Sequence, residues 1–66
     1  MCRNIKQLRR PEQRPTDEEL QAAALQFVRK ITGYRAPSRV NEAAFNQAVE
    51  AIARASRELF ENLVTR

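Results

Sequence analysis

The sequence predicts an all-α fold: a helical hairpin of about 17–32 and 39–64, entered through a short basic N-terminal leader and completed as a homodimeric four-helix bundle. Three observations predict it. In the second half Phe45, Val49, Ile52, Ser56, Leu59 and Leu63 fall in one stripe at about 100° per residue, flanked by Ala48 and Phe60. In the first half a helix start at Thr16 and a stop at Gly33 bracket an apolar-rich segment. And the net charge of +4 on these 66 residues lies ahead of both helices. There Arg3, Lys6, Arg9, Arg10 and Arg14 stand against Glu12, while the other seven of twelve Lys/Arg balance the other seven of eight Asp/Glu.

The leader comes first. Met1, Ile5 and Leu8 share one side of a helical wheel, and Arg3, Lys6 and Arg10 share the other, whereas strand alternation fails. Pro11 disfavours helical geometry at Arg10, so a leader helix ends there. Ten residues do not hold a helix alone in water, so the leader orders only by docking. Residues 1–15 are therefore leader and linker, and residues 16–66 the body of a single domain.

In the first body helix, Thr16 and Glu19 have the spacing of a capping box, and Asp17, Glu18 and Glu19 suit the positive end of the helix dipole. Arg29 and Lys30 suit the negative end, and Gly33 supplies a left-handed residue after it. Leu20, Ala24, Phe27 and Ile31 form the stripe expected to face the second helix. Leu25 and Val28 lie off that stripe and call for a second neighbour.

The second helix follows the turn Gly33–Ser38, with Ser38 as the expected cap and Asn41 as the alternative. Glu50–Arg54 and Arg57–Glu61 have the spacing of surface pairs, and Ser56 is expected to bond back to the Ile52 carbonyl. This helix is the longer by some ten residues, so Leu59, Phe60, Leu63 and Val64 overhang its partner. With Leu25 and Val28 they make the face on which a second copy, or the leader, is expected to pack. The dimer is the preferred cover.

A chain of this size buries only about 60% of its unfolded surface, and small domains of this kind usually need a staple. One cysteine, Cys2, allows no internal disulfide, and the absence of histidine argues against a metal site. The charged N-terminus is unlike a secretory signal, no run approaches a membrane span, and a lone thiol fits a reducing cytoplasm. No cofactor and no catalytic set is expected. The acids are accounted for by capping and by solvent-facing helix sides, and Phe27, Phe45 and Phe60 by a core.

Arg3, Lys6, Arg9, Arg10 and Arg14 are the candidate binding residues, able to neutralise phosphates or to fork onto carboxylates. The leader holds no aromatic side chain on which a base could stack. Cys2, beside Arg3 and near Lys6, is the candidate reactive thiol or metal ligand, though no histidine can serve as its base.

Met1-Cys2-Arg3-Asn4-Ile5-Lys6, Thr16-Asp17-Glu18-Glu19-Leu20, the run from Ala22 to Lys30, and Pro37-Ser38 followed by Asn41-Glu42-Ala43-Ala44-Phe45 resemble a family of small bacterial proteins known only as a domain of unknown function. The resemblance spans nearly the whole chain. It implies a bacterial protein without an assigned activity, and it brings no catalytic or binding residues with it. The expectation is a non-enzymatic helical interaction and oligomerisation module whose leader docks an acidic partner protein. The alternative is an accessory binder of structured RNA through the same leader. Thiol or metal chemistry at Cys2 stands third.

Overall fold

The computed structural model of the chain describes residues 7–10 and 12–64. Among these, the elements run α1 (Asp17–Thr32), a 3-10 turn (Arg39–Asn41) and α2 (Glu42–Asn62), with the two helices packed antiparallel as a hairpin.

Both ends of α1 follow from local chemistry. Thr16 is extended and its Oγ1 accepts the Glu19 N–H at 3.1 Å, while Glu19 Oε1 accepts the Thr16 N–H at 2.9 Å. The capping box is therefore complete, and two amides left over by the helix are satisfied. At the other end Gly33 takes φ 77° and donates its N–H to the Arg29 carbonyl at 2.8 Å. The same end is closed by Thr32, which donates to the Val28 carbonyl at 2.7 Å and accepts from the Tyr34 N–H at 3.1 Å.

The start of α2 differs from expectation. Ser38 precedes a 3-10 turn, and the α-helix begins only at Glu42, flanked by Asn41. Neither side chain caps a backbone amide. They bond each other instead, Asn41 Nδ2 donating to Ser38 Oγ at 3.2 Å. At its far end α2 stops at Asn62, whose Nδ2 donates to the Glu58 carbonyl at 2.9 Å while Leu63 turns extended. So α2 is 21 residues against 16 for α1, a smaller excess than the sequence implied.

The core also needs a correction. Val28 is buried at 2% exposure and belongs with Ala24, Phe45, Val49 and Ala53, and Leu25 packs against that cluster together with Ala48 and Ile52. Val28 is thus covered within one chain, and Leu25 partly so. It is Phe27 and Ile31, expected in the interface, that stand 40% and 65% exposed. The rotation has a physical reason. Leu20, Ala24 and Val28 form one ridge at four-residue spacing, and Phe45, Val49 and Ala53 another. Ala24 and Ala53 are small enough to let the ridges meet closely, which turns the bulky Phe27 aside. Phe60 is half-buried, whereas Leu59, Leu63 and Val64 are exposed at the overhanging end of α2.

Candidate functional site

The described part of the leader, Gln7 to Arg10, has no regular secondary structure, so the helix expected to reach Arg10 does not form there. Arg10 is nevertheless fixed in place. Its guanidinium forks onto the Glu19 carboxylate, Nη1 to Oε2 at 3.0 Å and Nη2 to Oε1 at 2.9 Å, and Nη2 also reaches the Arg14 carbonyl at 3.4 Å. Leu8 is half-buried and Pro15 buried, so apolar contacts accompany the ion pair. The planar fork matches a carboxylate in two parallel bonds, a geometry lysine cannot reproduce.

Glu19 therefore serves two structures at once, the cap of α1 and the clasp that holds the leader. The hydrogen bonds from Arg10, and then that from the Thr16 backbone, pull its carboxyl down to about 2. The same bond raises the Arg10 guanidinium further above its ordinary value. Arg10 Nε is buried with no hydrogen-bond partner among the described residues.

One member of the candidate binding set is thus engaged within the chain. Arg10 spends its fork on a carboxylate of its own chain and is not free to meet a partner. Arg9 is exposed. Arg14 is exposed too, with one long bond from Nη2 to the Glu61 carbonyl at 3.4 Å. Arg3, Lys6 and Cys2 lie outside the described residues. Arg57, expected to pair with Glu61 on its own helix, instead bridges to Asp17 of α1. Arg14–Glu61 ties the linker, and Arg57–Asp17 the start of α1, to the end of α2.

The two sides of the hairpin differ in chemistry. On one side an open groove of about 380 Å³ between the helices is lined by Asp17, Gln21, Glu50, Arg54 and Arg57, with Leu20 and Ala53 at its floor. The other side carries a groove of about 210 Å³ lined by Ala23, Ala24, Phe27, Ile52 and Ser56. Ser56 adds little polarity to it, because its Oγ donates to the Ile52 carbonyl at 2.8 Å, as its mid-helix position predicts.

Among the described residues no three of His, Cys, Asp and Glu gather as a ligand set, and no helix is long and apolar enough to cross a membrane. The clasp was not legible in the sequence, since Arg10 and Glu19 are nine residues apart across a proline-bounded linker. The apolar groove was legible in part. Ile52 and Ser56 lie on the predicted stripe, but Phe27 was assigned to the core.

A family model described as an uncharacterized conserved protein (DUF2277) matches residues 1–66. No curated protein and no solved structure matches the chain.

Proposed function

The chain belongs to this family of uncharacterised conserved proteins, and we propose that it is a non-enzymatic helical interaction module whose cationic N-terminal segment docks an acidic partner protein. The observation that carries this reading is the Arg10–Glu19 fork. It roots the segment at the N-terminus of α1 with Arg9 turned to solvent, while Arg14 on the other side is exposed and lies against the Glu61 carbonyl. Arg3 and Lys6 add two further charges ahead of that root. A cationic segment tethered at a fixed point loses less freedom on binding than one that is loose along its whole length. Asp17 and Glu19, two of the three acids in the first turn of α1, are engaged by Arg57 and Arg10, which supports a structural use for them over acid–base chemistry. We place the protein in the bacterial cytoplasm, in keeping with its single thiol.

The same charges suit structured RNA, and the two readings separate by experiment. Polyglutamate and an RNA hairpin are titrated against the full chain and against a chain lacking residues 1–9, which keeps the clasp. Binding of polyglutamate by the full chain, lost on truncation or in the double variant Arg9→Glu, Arg14→Glu, supports the acidic-protein reading. If the RNA hairpin binds instead, with log affinity falling against log salt at a slope of about −3 to −5, the RNA reading replaces it. A truncated chain that binds either probe as well as the full chain removes residues 1–9 from both.

A further inference from the structure

The hairpin is one layer thick. The extents of the structure are 44 × 24 × 16 Å, the shortest of them well under two helix diameters of ~10–12 Å. Stable domains bury their apolar helix faces between at least two layers. The radius of gyration, 13.1 Å, is that of a compact domain of about 100 residues, half as long again as this chain. Surface area gives the same result. The chain exposes 5527 Å², whereas a compact monomer of 7.6 kDa exposes about 4,300 Å². The excess, roughly 1,200 Å², is spread over the whole chain, irregular leader and turn included, and leaves room for the ~800 Å² per partner of a standard interface.

Of the large apolar residues exposed among the described residues, Phe27, Ile31 and Leu59 lie on the two helices, while Tyr34, Val40, Leu63 and Val64 lie at the turn and the C-terminal end. Phe27 and Ile31 of α1 are one turn apart, and Leu59 of α2 continues the line of Ile52 and Ser56 at three- and four-residue spacing. The opposite side carries Asp17, Gln21, Glu50, Arg54 and Arg57. A two-sided layer of this kind matches one half of a four-helix bundle.

We propose that the side formed by Ala23, Phe27 and Ile31 of α1 with Ile52, Ser56 and Leu59 of α2 packs against the same side of a second copy of this chain. The seam is isologous, each copy giving and receiving the same residues. Ala23 and Ser56 are small and lie beside Phe27, so the groove between them accepts a bulky side chain from the partner. The charged side stays outward. Glu19 lies one turn before Ala23, so the clasp sits at the edge of the seam. This interface does not depend on the leader binding anything.

Solution mass by light scattering and site-specific photocrosslinking test the proposal. The wild type is expected at twice the mass of one chain and Leu59→Glu at the mass of one. Val40→Glu, at a residue that is 89% exposed and off this side, is expected to keep the dimer. Should Leu59→Glu fail to fold, crosslinking of the otherwise native chain decides. Benzoylphenylalanine in place of Phe27 should give a covalent dimer, and in place of Gln21 on the charged side it should not. A monomeric wild type overturns the proposal. So does a crosslink from position 27 to residues 1–6 of its own chain, which would make the leader the cover, or a dimer crosslinked from position 21 alone.

Discussion

Glu19 sets the behaviour of the N-terminal half through one carboxylate. Its carboxyl is held at about 2 by bonds from Arg10 and from the Thr16 backbone, against an ordinary value of 4.5. A group whose value is lowered in the folded state stabilises the fold above its unfolded value and loses that contribution as pH falls through the folded value. The window for Glu19 is thus from about pH 4.5 down to about 2. Both side chains are partly open to solvent, at 35% for Arg10 and 29% for Glu19, so salt screens the pair. Urea midpoints of wild type and Glu19→Gln measured across pH should differ most above pH 4.5 and converge towards pH 2. The glutamine can still accept the Thr16 amide, so the gap reports the charge and not the cap. Midpoints that stay parallel through the window would mean that Arg10 and Glu19 are not paired in solution.

At the scale of the element, the hairpin turn depends on Gly33. Its φ of 77° lies where a side chain is disfavoured, and an added Cβ would meet nothing within 4 Å. Replacing it therefore costs backbone strain and no steric clash. Gly33→Ala should destabilise by about 1–2 kcal/mol, and Gly33→Asn by less, because asparagine tolerates the left-handed region. Chemical denaturation of the two variants checks the order, and equal losses would mean that the turn rearranges. These end signals were legible in the sequence because capping is local: Thr16 pairs with Glu19 three residues on, and Gly33 bonds back to Arg29 four residues before it. The face of α1 was not. Leu20, Ala24, Leu25, Phe27, Val28 and Ile31 spread over about 160° of its circumference, wider than one helix contact covers. Two registers of packing compete there, one using Phe27 and Ile31 and the other using Val28. The small contacts at Ala24 and Ala53 decide for the second, and no periodicity within one helix records its partner's alanines. The Arg10–Glu19 clasp was hidden for a related reason, since it depends on how the linker turns.

For the molecule as a whole, the question is what closes so thin a core. The residues buried in it are Leu20, Ala24, Val28, Phe45, Val49 and Ala53, and the two alanines supply little apolar area. Folded domains are stable by only about 5–15 kcal/mol, and a core this small falls short without help. The candidate covers are a second copy on the Phe27–Leu59 side and the leader. They respond differently to protein concentration. An equilibrium that couples folding to dimerisation shifts by mass action, so its melting temperature rises with concentration, whereas that of a monomer closed by its own leader is flat. The wild type should therefore melt higher as it is concentrated. Removing residues 1–9, which spares Arg10 and its clasp, should preserve that slope if the second copy is the cover. A flat dependence in the wild type, with a lower melting temperature at every concentration after truncation, would instead make the leader the missing layer. The slope thus settles which charges can meet a partner, because a leader built into the core has its cations fixed as a solvated surface, and one outside it keeps Arg3, Lys6, Arg9 and Arg14 available.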